Sequence, residues 1–119
     1  MALVFKDRVK ETTSVLGTSD AALNGAAPTY VTFSSVMSNG DTAYYAIITK
    51  SSGVDEWETG LGTYVSASNT LQRTTILNSS NSNNKVSFGS GNKDIFITLP
   101  ADKLVIDTNV IALATALGG

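Results

Sequence analysis

The sequence predicts an all-β fold, an antiparallel β-sandwich or small barrel of about seven short strands. Three observations carry that prediction. Short β-branched and aromatic runs recur along the 119 residues, separated by clusters of Gly, Asn and Ser. Charged residues make up only 15% of the chain, well under the usual quarter. Ser, Thr and Asn replace them with roughly a third of all positions, a composition that suits sheet surfaces and surfaces later covered by a partner. With 42% hydrophobic residues, one core is expected. Residues 1–100 should form that domain, and 101–119 a C-terminal arm or short helix.

The elements follow in order. Leu3 to Val15 alternates without a cleanly apolar face, which predicts an edge or partly exposed strand. Gly17 to Asp20 turns the chain, and Ala21 to Leu23 adds a brief strand before Asn24-Gly25. Tyr30 to Met37 and Thr42 to Lys50 read as a hairpin across Ser38-Asn39-Gly40-Asp41, because Asn-Gly favours a type I′ turn. Thr42 to Lys50 is apolar on both faces and should be central. Glu56 to Val65 carries Gly60 and Gly62 mid-strand, the mark of a bulge or a close backbone approach. Thr70 to Leu77 places Leu71, Arg73, Thr75 and Leu77 on one side. Asn78 to Asn84 is polar throughout and predicts an exposed, mobile loop. Lys85 to Phe88 and Lys93 to Leu99 read as a last strand pair ended by Pro100. Beyond it, Val110, Ile111, Leu113, Ala114 and Leu117 fit a short helical face.

Composition excludes several functions. There is no histidine and no cysteine, so the common catalytic triads, disulfides and thiolate metal sites are out of reach. Net charge is −2 and the eight Lys and Arg are scattered, which argues against nucleic acid as a partner. No run approaches the length of a membrane span, and Met1 to Lys10 lacks the apolar stretch of a signal peptide. Synthesis and folding in a cytosol are therefore expected.

What chemistry remains lies in carboxylates and aromatic rings. Asp55, Glu56 and Glu58 bracket Trp57 in a layout resembling a glycosidase pair. Strand alternation favours a plainer arrangement, with Glu56 and Glu58 on a solvent face and Trp57 in the core, where Trp57→Ala would cost about 3–5 kcal/mol. Asp41, Asp55 and Glu56 lack the spacing of a calcium loop. Gly60-Leu61-Gly62 and Gly89-Ser90-Gly91 lack the context of a phosphate loop. Tyr30, Tyr44, Tyr45, Trp57 and Tyr64 are candidate sugar-platform or protein-contact aromatics. No catalysis, cofactor or metal is expected.

Four segments carry a resemblance. They are Asp7-Arg8-Val9-Lys10-Glu11-Thr12-Thr13, Phe33 to Tyr45, Trp57-Glu58-Thr59-Gly60-Leu61-Gly62-Thr63-Tyr64, and Leu71-Gln72-Arg73-Thr74-Thr75-Ile76-Leu77. In this order and spacing they resemble a small β-rich virion domain of tailed bacteriophages, found at the particle-attaching end of tail fibre and tail-associated proteins. The resemblance spans about Val4 to Pro100. It implies a structural role in the virion after synthesis in the host bacterial cytoplasm, symmetric homo-oligomers, other virion proteins as partners, and no catalysis. In fibres such a domain precedes a shaft, whereas this sequence stops at Gly119, which points to an adaptor at the tail or head–tail junction. A capsid decoration protein and, in another class, a carbohydrate-binding module are the alternatives. Leu104, Ile106, Val110, Ile111, Leu113 and Leu117 are the expected partner-binding residues, being more apolar than a free arm would keep in water.

Overall fold

A computed structural model describes residues 1–50 and 53–104. Its strands are β1 (Lys10–Thr13), β2 (Ala21–Ala22), β3 (Thr42–Thr49), β4 (Trp57–Val65), β5 (Thr70–Ser79) and β6 (Lys93–Ile97). Two single turns of 3-10 helix, Phe33–Ser35 and Ala101–Lys103, are the helical elements among the described residues. All strand pairs are antiparallel, in the order β1-β6-β3-β4-β5-β2. The two ends of the sheet then meet. β2 pairs with β5, and the chain just after β2 bonds to β1 through Asn24 N–H to Thr12 O (2.9 Å) and Ala27 N–H to Lys10 O (3.0 Å). The result is a nearly closed barrel, the predicted class, with six strands among the described residues where about seven were expected.

β3 is central, as its two apolar faces predict, with β6 on one side and β4 on the other. Ala43, Tyr45 and Ile47 point inward and are buried with Ile95, Leu71, Tyr64, Phe33 and Phe88. The edge strand expected over Leu3 to Val15 shrinks to Lys10–Thr13, and β1 is no open edge, being bonded to β6 on one side and to the 24–31 chain on the other. Ala21–Ala22 is the brief strand predicted from 21–23.

Three predicted features differ. Tyr30 to Met37 is not the first arm of a hairpin. Thr32 Oγ1 accepts from Ser35 N–H, and Ser35 Oγ donates to Thr32 O, so short polar side chains close the backbone locally into a 3-10 turn. The Ser38–Asp41 turn exists, closed by Asp41 N–H to Ser38 O at 3.0 Å, but Gly40 alone has positive φ (+88°). That is the signature of a type II turn, not type I′. Lys85 to Phe88 does not pair with β6. Phe88 bonds instead to Gly17 in both directions (2.7 and 3.0 Å), and Val86 has both backbone groups taken by buried side chains.

Both mid-strand glycines sit where the register of β4 against β5 slips, between Thr59 and Gly60 and between Leu61 and Gly62. These bulges break the side shared by Leu71 and Arg73, and Thr75 turns to solvent. The 78–84 tract is folded: Ser79 N–H donates to Asn83 Oδ1 (3.1 Å) and Asn84 N–H to Asn81 O (2.9 Å), with Ser82 and Asn83 at positive φ.

Candidate functional site

The alternation of β4 is the reverse of the prediction, and this reversal places every candidate group. Glu58, Gly60, Gly62 and Tyr64 face inward, whereas Trp57 is 41% exposed. The expectation that Trp57 belongs to the core and Glu58 to the solvent face is therefore corrected. Gly60 and Gly62 must face inward because only they let Tyr45 and Leu71 approach β4 so closely. Parity then carries Glu58 inside and Trp57 outside. Trp57→Ala should cost no more than about 1 kcal/mol, read as a small change in the denaturation midpoint. A loss near that of a core Trp would restore the original assignment.

Inside the barrel Glu58 meets Arg73, which shares the inward side of β5 with Leu71. Both side chains are fully buried. Arg73 Nε and Nη2 donate to the two carboxylate oxygens at 2.8 and 2.6 Å, a two-pronged pair. Its remaining donors reach Gly17 O and Ser19 O (both 3.1 Å) and Val86 O (2.5 Å), and its guanidinium carbon lies 5.1 Å from the Phe88 ring centre. Glu58 accepts two more bonds, from Tyr45 Oη (2.6 Å) and Val86 N–H (2.9 Å). All five guanidinium protons and four acceptor positions of the carboxylate are used. Such a group has no position left for a substrate. It ties β3, β4 and β5 to the loops at 17–19 and 86.

Burial alone would raise the Glu58 carboxyl pKa, but the bonds from Arg73, Tyr45 and Val86 outweigh it and hold the carboxyl below its usual range. Burial and the neighbouring carboxylate push the Tyr45 phenol well above its usual value. A carboxyl with a depressed folded pKa stabilises above its unfolded value, about 4.3, and loses that contribution as pH falls through the folded value. The stability gap between the native chain and Glu58→Gln should therefore narrow in acid, seen by chemical unfolding between pH 7 and pH 2. A gap independent of pH would contradict an ionised Glu58.

Three further charged side chains, Glu11 and Lys93 inside and Asp41 nearer the surface, are structural by the same logic. Glu11 accepts from Gly25 N–H (2.9 Å) and Phe33 N–H (2.8 Å), pinning the 25–33 loop to β1. Lys93 donates to Val15 O (2.8 Å) and Gly89 O, and burial pushes its ammonium pKa down. Asp41 accepts from Ala2 and Ser38 N–H (both 2.9 Å), bonds that lower its pKa and tie the N-terminus to the turn.

The carboxylates that sequence groups around Trp57 are thus separated. Glu58 is interior, Glu56 half-buried and Asp55 exposed. No three acidic residues approach a common ion position among the described residues. Of the candidate aromatics, Tyr45 and Tyr64 are core, Tyr44 is half-buried against Phe5 at 6.1 Å, and Tyr30 and Trp57 are exposed. Leu104 is 51% exposed, and Ile106, Val110, Ile111, Leu113 and Leu117 lie outside the described residues.

What sequence reading missed is the outer face of the barrel. Tyr30, Ile48, Trp57, Phe5 and Leu99 are all at least a third exposed. Ile48 lines two shallow hollows: one of about 290 Å³ with Arg8, Lys10, Tyr30 and Phe96, the other of about 210 Å³ with Val54, Asp55, Glu56 and Trp57. The signal available was the outward parity of Tyr44, Ala46 and Ile48, apolar where a solvent face would be polar.

Fold and site together define a small β-barrel whose buried Glu58–Arg73 pair is consumed in holding it closed and whose outer face carries exposed apolar side chains around Ile48. Comparison with protein-family models, with curated proteins and with solved structures found no match.

Proposed function

We propose that this chain is a structural protein of a tailed-phage particle, a tail or head–tail junction adaptor that works by binding other proteins. The observation that carries this reading is the pairing of a closed Glu58–Arg73 network inside the barrel with exposed aromatic and aliphatic side chains around Ile48 outside it. Exposed aromatic and aliphatic side chains grouped around one residue suit contact with another protein. The four ordered sequence segments that resemble virion domains point to which kind of assembly. Quantitative mass spectrometry of purified particles of the encoding phage tests it. An adaptor is present in a few to a few dozen copies, a decoration protein in hundreds, and absence from the particle overturns the reading.

The exposure of Trp57 and Tyr30, which line separate hollows on either side of Ile48, favours one second reading, a carbohydrate-binding module. That module would bind an immobilised glycan panel and lose binding on Trp57→Ala, whereas the adaptor binds no glycan on the panel.

A further inference from the structure

The sequence holds two Asn-Gly pairs, Asn24-Gly25 and Asn39-Gly40. Such pairs are prone to cyclise, because no Cβ shields the glycine nitrogen from the carboxamide before it. The fold treats the two differently. Asn39 lies in the turn before β3, where its Oδ1 accepts from Ser66 N–H (3.0 Å) and Gly40 N–H donates to the Tyr64 carbonyl (2.8 Å). At Asn24-Gly25 the glycine N–H donates instead to a carboxylate, Glu11 Oε1, at 2.9 Å. Glu11 is 1% exposed, and Phe33 N–H holds its second oxygen at 2.8 Å. Asn24 is open to water, with its Nδ2 donating to Ser14 Oγ at 3.0 Å. Nothing stands within 4 Å of the place a Gly25 Cβ would take.

We propose that Asn24 is a site of self-modification, deamidating with Glu11 as its general base. The Gly25 nitrogen bonds to Asn24 Cγ while its proton passes to Glu11 Oε1. The Cγ–Nδ2 bond then breaks, and Nδ2 takes up that proton and leaves as ammonia. Water opens the resulting cyclic imide at either carbonyl. One product is aspartate; the other is isoaspartate, with the main chain rerouted through Cγ. Position gives the reaction a consequence. Asn24 N–H donates to Thr12 O (2.9 Å) and Thr12 N–H to Gly25 O (3.0 Å), so this pair is part of the seam that closes the barrel beside β1. Isoaspartate adds a backbone atom inside the seam and misaligns both bonds, which frees that edge of β1. The inference goes beyond the adaptor reading and does not rest on it.

Peptide mapping by mass spectrometry of the full chain, aged in buffer and in unfolding urea, tests it. In urea both asparagines should deamidate at similar rates. Folding should slow Asn39 and speed Asn24 about tenfold or more. Glu11→Gln should remove that acceleration. A Glu11 that only holds the loop predicts the opposite sign, since loosening residues 24–33 would speed the reaction. The native sequence gives a second reading that needs no variant to fold. Between pH 6 and pH 8 the rate at Asn24 should change less with pH in the folded chain than in urea, because the protein supplies the base that hydroxide supplies elsewhere. Folded Asn24 reacting no faster than in urea overturns the proposal. So does a folded Glu11→Gln that reacts as fast as the native chain or faster, or a folded rate that tracks hydroxide. In the isoaspartate product the Thr12 amide should exchange its hydrogen faster, and unchanged exchange overturns the opening of the seam. None of these readings depends on presence in a virion, so either idea can fail alone.

Discussion

Arg73→Leu is expected to cost about 3–5 kcal/mol, a large fraction of the stability of a domain of this size. The substitution is nearly matched in bulk, so lost packing is a minor part of that figure. The larger part is the Glu58 carboxylate, left without its counter-ion in the centre of the barrel. The carbonyls of Gly17, Ser19 and Val86 lose their donors in the same step. Glu58→Leu alone strands the guanidinium and should be comparably damaging. Joining Glu58→Leu to Arg73→Leu should recover much of the loss, since replacing a buried ion pair by apolar groups is often neutral or better. Recovery would be incomplete here because Tyr45 Oη and both backbone groups of Val86 also depend on the pair. Urea unfolding of the three variants measures this. A loss under about 1 kcal/mol for Arg73→Leu would mean that water replaces the guanidinium and that the interior is not dry.

Gly60→Ala should cost about 3 kcal/mol, the upper end of ordinary overpacking, for the addition of one methyl group. A Cβ built on Gly60 would lie 2.3 Å from the backbone oxygen of Thr75 and 3.0 Å from the Tyr45 hydroxyl. The first neighbour is main chain in β5 and cannot swing aside, so β4 and β5 must part. The second is the hydroxyl bonded to Glu58, so displacement there loosens the charged network as well. Gly62→Ala meets mainly the Leu71 side chain, at 2.6 Å, which can shift rotamer, and should be milder. Gly89→Ala is the control, with nothing within 4 Å of its Cβ, and should change the denaturation midpoint little. Equal effects at Gly60 and Gly89 would show that backbone entropy, not space, sets the cost.

Much of the barrel is written in local patterns. The two-faced apolar run at Thr42 to Thr49 predicts a central strand, which it is, between β6 and β4, although its outward face is left uncovered at Ile48. The glycines at 60 and 62 predict a slip or close approach, because an absent Cβ matters wherever backbones crowd. Parity along 71–73 places Arg73 beside Leu71, and an arginine on a core-facing side needs an acidic partner; which carboxylate supplies it is not written in that parity.

The identity of that carboxylate depended on contacts between residues far apart in sequence. Hydrophobicity assigns Trp57 to the core, yet Tyr64, Gly60 and Gly62 share the parity of Glu58, and three inward constraints prevail over one apolar side chain. The 85–88 run has the propensity of a strand, but Glu58 and Arg73 take both backbone groups of Val86, so no ladder forms there. The 30–37 run has the residues of a strand arm, but its Thr and Ser bond locally, and Glu11 fixes Phe33 from across the barrel. Short-range propensity therefore sets which segments are extended and where they turn. The face β4 shows is set by its crowded glycines and Tyr64, and the Glu58 they carry inside is held there by Arg73, because a buried charge left unpaired is costly.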